Sequence, residues 1–185
     1  YACQYIRGDL DTRAPATIFV KTGIYKENLP IVVPRDTAIV GDELRSTVVM
    51  PNPGYETSDM FRFHNGSGLR NCTLQGLKGT LGDPNDNLTR RPTAGAYAAL
   101  DPATSSSDQY AWITTKSPYV QNVTTFGDGC IGMKVDGDLH DGGNKSMVAN
   151  DFTQILSNGI GYWAHGEGKS ELVSVFTYYC HIGYL

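Results

Sequence analysis

A short pattern repeats in the C-terminal part of the chain, and it constrains the fold more than any other feature of the sequence. An Ile-Gly pair begins at Ile131, Ile160 and Ile182, so that successive pairs are 29 and 22 residues apart. A valine-led segment precedes each pair, and its first valines, at 120, 148 and 173, are 28 and 25 residues apart. We interpret each unit as one circuit of roughly two dozen residues, with two or three short strands and a glycine-bearing bend. A circuit of this size cannot bury its own apolar face, so we expect successive circuits to stack in parallel.

The first half of the chain carries short runs of β-branched and aromatic residues between turn-forming Gly, Pro, Asn and Asp. These runs are too short for helices and are typical of half-buried strands. The strands predicted in this half are 17–20, 24–25, 29–34, 37–41, 46–50, 60–63 and 69–74.

These patterns favour an all-β protein built as a right-handed parallel β-helix. A β-sandwich is the main alternative, although its strands would be longer and its turns tighter. We expect one β-helix segment over 1–185, with a lead-in over 1–16, the first coils over 17–78, a loop insertion over about 79–108 and repeated coils over 109–185. The insertion is Ala-rich around 94–99, where we expect a short helical turn. The chain starts without Met and stops within a strand-like run, so we also expect it to be part of a longer protein.

Charge and hydropathy exclude several classes of partner. The formal net charge is −4, from 15 basic and 19 acidic residues, and like charges form no long block. This charge balance does not favour a nucleic-acid face. No stretch approaches the ~18 consecutive apolar residues of a membrane-spanning helix. We therefore expect no nucleic-acid partner and no membrane segment.

The cysteines form no recognisable metal motif, since neither a CxxC pair nor a Cys/His cluster occurs. We expect them to be small buried apolar residues, with two disulfides in a secreted protein as the alternative. They are Cys3, Cys72, Cys130 and Cys180. Asn-x-Ser/Thr triplets, which turns between strands explain as well as glycosylation does, begin at Asn65, Asn71, Asn87, Asn122 and Asn144.

Four aspartates are the main candidates for chemistry: Asp128, Asp136, Asp138 and Asp141. Two carboxylates about 5–10 Å apart could act as acid and base on a glycosidic bond. The spacing of Asp136 and Asp138 also resembles the start of a calcium loop, but the later ligands are missing. Because Asp and Gly commonly initiate turns, we interpret these residues as turn residues.

The other polar and aromatic candidates form no catalytic motif. The histidines are isolated along the sequence, at His64, His140, His165 and His181. No Gly-x-Ser-x-Gly context surrounds Ser46, Ser67, Ser117 or Ser170. Aromatic residues could stack on sugar rings if they point outward, but we favour packing in the core or between subunits for Tyr110, Trp112, Tyr119, Tyr162 and Trp163. We assign no catalytic, cofactor-binding or metal-binding residue and expect no cofactor.

Two parts of the chain resemble known families. The segment 17–27, with 29–31 and 38–41, is similar to the opening circuits of pectinesterase-like and pectate-lyase-like β-helices. The Gly-Gln-Asp-Thr and Asp-Phe-Ile-Phe-Gly segments that serve pectinesterase catalysis are missing, so this resemblance implies fold and not activity. The segments 117–127, 143–154 and 171–184 resemble virion structural proteins of contractile-tailed marine cyanophages, which are large tail-fibre or baseplate-associated chains.

The second resemblance implies a structural component of a phage virion, a β-helical tail, baseplate or fibre segment that acts as a rigid shaft or attachment platform. It implies other virion subunits as partners and a homo-oligomer, of which a trimer is one form, with a host surface glycan as a further partner to consider. The alternatives are a tailspike-like polysaccharide lyase or glycosidase, which requires converging carboxylates, and a non-catalytic carbohydrate-binding module, which requires exposed aromatics without paired acids.

Overall fold

The protein is all-β, as the sequence predicts. The computed structural model describes residues 2–3, 15–79, 94–98, 117–136, 146–166 and 168–185. Within these residues the strands are β1 (Ala16–Val20), β2 (Gly23–Glu27), β3 (Ile31–Val33), β4 (Thr37–Gly41), β5 (Thr47–Pro51), β6 (Phe61–Phe63), β7 (Gly68–Lys78), β8 (Ala94–Ala98), β9 (Tyr119–Asp128), β10 (Ile131–Asp136), β11 (Ser146–Ser157), β12 (Ile160–His165), β13 (Lys169–Tyr178) and β14 (Ile182–Tyr184). No helix in this part of the chain is long and apolar enough to cross a membrane.

The strands form two sheets, and all the pairs among the described strands are parallel. Sheet A has eight strands, with β1-β4-β7-β9-β11-β13 as its main path and with β5 linking β2 to β7. Sheet B has six strands in the order β14-β12-β10-β8-β6-β3. From β7 onward, the chain alternates between the sheets, so each strand of sheet A pairs with its counterpart from the next unit. Parallel stacking of successive units is therefore confirmed.

One column of apolar side chains runs along the inner side of sheet A. Its members are in register from strand to strand: Ile18, Ile39, Leu69, Val120, Ala149 and Leu172. All belong to or pack against a single hydrophobic cluster. The column is fully buried at its centre and partly exposed at both ends, as expected where no further strand of the described residues covers the stack.

Four residues with positive φ bend the long strands of sheet A at the same place. They are Asn71 (56°), Asn122 (51°), Asp151 (50°) and Ser174 (51°), in β7, β9, β11 and β13. On neighbouring strands, the residues just before and just after these positions pair with each other, so the four bends are stacked. The Asn122 side-chain amide donates a hydrogen bond of 3.0 Å to the Asn71 side-chain oxygen. Asn is the common non-glycine residue in this conformation, which accounts for its use at two of the bends.

The bends also explain why these strands are longer than the sequence predicts. Beyond them, a second inward column begins with Cys72, Val123 and Phe152, which are almost completely buried. Because of a single residue with positive φ, one strand of 10 to 12 residues contributes side chains to both inward columns.

The repeated Ile-Gly pairs are in register, but their glycines do not form bends. Ile131 pairs with Ile160, and Ile160 pairs with Ile182, so each following glycine lies inside a strand of sheet B. A glycine-bearing bend does occur between β9 and β10, but it is formed by Gly129, which has a φ of 60°. A Cβ at Gly132 would lie 2.6 Å from both the Gln154 Cδ and the Gly161 carbonyl oxygen. Glycine is required here because the two sheets approach each other closely.

The repeated valines are out of register. Val148 pairs with Tyr119, and Val173 pairs with Asn150, while Val120 pairs with Ala149. Because side chains alternate between the faces of a strand, a shift of one residue moves a side chain to the opposite face. Val120 is consequently buried in the core, whereas Val173 is 57% exposed.

The expected helical turn around 94–99 is wrong at its described residues. Residues 94–98 form β8, which joins sheet B between β6 and β10. Ala96 is fully buried opposite Phe61, and a Cβ at Gly95 would lie 3.0 Å from the Gly132 carbonyl oxygen. Tertiary packing of small residues thus overrides the helix propensity of alanine. The rest of the predicted insertion, 80–93 and 99–108, lies outside the described residues.

Candidate functional site

A groove of about 350 Å³ crosses the outer face of sheet A. Five lining residues occupy one register row, with one residue on each of five adjacent strands: Ala38, Gly68, Tyr119, Val148 and Glu171. Strands lie about 4.8 Å apart, so the row extends roughly 19 Å along the stacking direction. We call this feature, formed by the row together with Gly66, Ser67, Arg70 and Ser117, the Tyr119 groove.

The shape of the groove follows from side-chain size along the row. Ala38 and Gly68 keep its floor low, whereas the half-buried Tyr119 is the large side chain of the row. The guanidinium carbon of Arg70 lies 5.6 Å from the centre of the Tyr119 ring. This cation–π contact stabilises an exposed pair by about 0.5–1 kcal/mol. The contact therefore favours a position of the Arg70 guanidinium beside the Tyr119 ring.

The charges of the groove are placed at different strands. Arg70 is on β7 and Glu171 on β13, and both side chains are exposed. Neither forms an ion pair within the described part of the chain. The next outward row holds Gln121 and Asn150, in register with Arg70. The face therefore combines donors, acceptors and an aromatic ring.

The predicted aspartate set does not form a site among the described residues. Asp128 ends β9, where its carboxylate accepts a hydrogen bond of 3.2 Å from the Asn158 side-chain amide. Asp136 ends β10, and Asp138 and Asp141 lie outside the described residues. No group of three or more His, Cys, Asp and Glu side chains within the described ranges could hold a metal ion. The interpretation of Asp128 as a turn residue fits its hydrogen bond at the strand end.

The histidines are on separate elements. His64 is buried after β6, and its carbonyl oxygen accepts a hydrogen bond of 2.6 Å from the Ser67 hydroxyl. His165 packs against Trp163, with ring centres 5.6 Å apart, and His181 is exposed before β14. His140 lies outside the described residues.

Two of the serines considered in the sequence, Ser67 and Ser117, line the Tyr119 groove. Both are buried, and the Ser117 hydroxyl is hydrogen-bonded to that of Ser146. Ser46 is exposed in the turn before β5, and Ser170 lies on β13. The four serines therefore lie in turns or near the beginning of strands.

The aromatic candidates divide between the groove and the packed interior. Trp163 is 9% exposed, and the ammonium group of the buried Lys134 lies 4.3 Å from the centre of its ring. Tyr162 packs against the main core, and burial raises the pKa of its hydroxyl. Tyr119 alone among the described candidates lines the groove, while Tyr110 and Trp112 lie outside the described residues.

All four cysteines are free thiols. Burial raises the pKa of Cys72 and of Cys130 to about 12. These two residues behave as the small apolar residues that the sequence predicts, whereas Cys3 and Cys180 are only partly buried.

Arg70 and Glu171 were missed by sequence reasoning. Neither belongs to a local motif, and 101 positions separate them along the chain. Their common position depends on the register of β7, β9, β11 and β13, which no local pattern encodes. The chain matches no protein-family model, and no curated protein and no solved structure matches it.

Proposed function

We propose that the two sheets are faces of a right-handed parallel β-helix, and that the chain is a structural segment of a phage virion, in its tail, baseplate or fibre. The observation that carries the structural role is the inward column from Ile18 to Leu172, which passes without interruption through the six strands of the main path of sheet A. The resemblance of 117–127, 143–154 and 171–184 to cyanophage virion proteins supports the location.

The physical basis of the proposed role is stiffness. Parallel hydrogen bonds join each strand of sheet A to the next, and a densely packed core resists compression. The side chains Phe61, Phe63 and Phe152 are almost fully buried in one continuous cluster. A stack of this kind transmits force along its length and presents its outer face to other subunits.

The outer face also supports assembly with other virion subunits, including further copies of this chain, of which a trimer is one form. Phe176 and Tyr178 are each 50% exposed on β13, with ring centres 6.5 Å apart, and Phe126 is exposed on β9. Aromatic residues are enriched in protein interfaces. A clustered aromatic surface is therefore a suitable contact for a neighbouring subunit.

The alternative of a lyase or glycosidase receives less support from the described residues. Glu171 lies at one end of the Tyr119 groove, and Asp36 precedes Ala38 at the other. The row between these ends spans about 19 Å. Acid–base cleavage of a glycosidic bond requires carboxylates roughly 5–10 Å apart. This separation favours a structural or binding role over hydrolysis.

The experiment is electron microscopy of the intact phage particle that carries this chain. We expect stacked strands with a spacing of about 4.8 Å, in contact with tail or baseplate subunits. Absence of the chain from purified particles would contradict the virion role. A stack found in the particle with a different strand order would instead contradict the proposed fold.

A further inference from the structure

We propose that the Tyr119 groove binds a polysaccharide segment without cleaving it, with the sugar chain lying along the stacking direction. The groove crosses five strands in one register row and is open along the outer face of sheet A. A site about 19 Å long suits several consecutive units of a linear polymer. This inference goes beyond the virion role, since it concerns a ligand and holds wherever the chain is assembled.

Tyr119 supplies the apolar contact that a sugar ring needs. A sugar presents C–H groups on its flat faces, and these pack against aromatic rings such as that of the half-buried Tyr119. Because the Arg70 guanidinium carbon lies over this ring, 5.6 Å from its centre, a bound sugar shares the ring with the guanidinium. The small residues Ala38 and Gly68 leave space beside this ring. The row therefore combines an aromatic wall with a low floor.

The polar groups match a ligand that both donates and accepts hydrogen bonds. A guanidinium only donates, a carboxylate only accepts, and side-chain amides do both. Arg70, Glu171, Gln121 and Asn150 bring all three kinds to one face. Because Arg70 and Glu171 have no ion-pair partner in the described part of the chain, their charged groups can bind sugar hydroxyls. Charge-assisted hydrogen bonds of this kind are the stronger ones.

Other linear polymers fit the groove less well. An extended peptide gains affinity by pairing its backbone with a free sheet edge, but the groove runs across the strands, and four of the five that it crosses (β4, β7, β9 and β11) are already paired on both sides. A polyphosphate or nucleic acid would meet the Glu171 carboxylate and a chain of net charge −4. A hydroxyl-rich ligand of low charge is the class that agrees with both observations.

The test measures binding of the full chain to an array of purified bacterial surface polysaccharides and defined hexasaccharides, followed by calorimetry on the members that bind. We expect binding to at least one saccharide, weakened about tenfold or more by Glu171→Gln and by Arg70→Ala, through loss of charge-assisted hydrogen bonds. Tyr119→Ala should weaken it as well. Glu171 is exposed and has no ion-pair partner among the described residues, so Glu171→Gln reports on the groove even if Tyr119→Ala disturbs folding.

Tyr55→Ala is the matched control, because Tyr55 is an exposed aromatic outside both the groove and the proposed subunit contact, and the variant should leave the affinity unchanged. Binding to no member of the array overturns the proposal. Equal binding by the Glu171→Gln variant, or displacement of the saccharide by an acidic peptide or by polyphosphate, overturns it as well. Each of these outcomes is independent of whether the chain is found in a virion.

Discussion

The side chain of Gln154 on sheet A lies against the backbone of Gly132 on sheet B. A Cβ at position 132 would lie 2.6 Å from the Gln154 Cδ. Two non-bonded carbon atoms cannot approach this closely, so the backbone or the Gln154 side chain would have to move. Gln154 is fully buried and is in register with Thr125 and Thr177 on the neighbouring strands. Glycines at 95, 132, 161 and 183 thus leave room for a polar column inside the stack.

Gly132→Ala should lower the free energy of unfolding by about 1–3 kcal/mol, because overpacking forces the sheets apart. Urea denaturation followed by circular dichroism measures the change. The control is Gly183→Ala, where the nearest atom, the Thr177 hydroxyl oxygen, is 3.0 Å from the added Cβ and belongs to a side chain. An equal loss in both variants would contradict the specific role of the Gln154 contact.

Gln154→Met should raise the free energy of unfolding by about 1–2 kcal/mol. Neither amide atom of Gln154 has a hydrogen-bond partner among the described residues, and both are buried. Methionine has a similar length without the polar atoms. Chemical denaturation compares it with Gln75→Met, at an exposed position, which should change little. Destabilisation by Gln154→Met would show that the amide is hydrogen-bonded in solution.

Asn122→Ala should cost about 1–2 kcal/mol, because it removes the hydrogen bond to Asn71 and because alanine adopts a φ of 51° less readily than asparagine does. Asn122→Gly loses the same hydrogen bond but tolerates the backbone conformation. The glycine variant should therefore be the more stable of the two in thermal unfolding. The reverse order would mean that the bend does not keep its positive φ.

Phe152→Ala should cost about 3–5 kcal/mol, since this side chain is fully buried in the second inward column. Phe176→Ala, on the next strand and 50% exposed, should cost far less. Equilibrium unfolding of the two variants tests whether the inward and outward faces are assigned correctly. Similar losses at both positions would contradict the register of β11 and β13.

Stability should fall as the pH rises above about 9, the ordinary thiol pKa. Burial raises the pKa of Cys72 and Cys130 to about 12, so these thiols stay protonated in the folded chain while those of the unfolded chain ionise. Each thiol then contributes full stability below the unfolded pKa and loses about 1 kcal/mol by pH 10.

The check is urea unfolding at pH 8 and pH 10. In the Cys72→Ala and Cys130→Ala variants, a smaller fall with pH is expected than in the parent chain. A fall of equal size in parent and variants would assign the alkaline effect to other groups.

Local patterns were sufficient to predict the early strands and the parallel stacking. Residues 37–41 were predicted as a strand and form β4, because β-branched residues alternate there between clear turn signals. The repeat also predicted that Ile131, Ile160 and Ile182 occupy equivalent positions in successive units, and the register confirms this. These features depend on residues close in sequence or on a repeated sequence motif.

The rest depends on contacts between distant residues. β8 is composed of residues that favour helix or turn, and only its position between β6 and β10 makes it a strand. Gly68 and Tyr119 adjoin in the groove although 51 positions separate them, with the whole of the predicted insertion in between. No spacing rule in the sequence specifies that pairing, so the candidate site could not be predicted.

The stacked bends have a consequence for how such a chain can change in length. The same backbone conformation recurs at Asn71, Asn122, Asp151 and Ser174 although the side chain differs. A whole unit could therefore be duplicated or deleted between two bends while the remaining layers keep their partners. Each such event would alter the end-to-end distance by one interstrand step of about 4.8 Å. The length of such a stack therefore depends on the number of units and changes in equal steps.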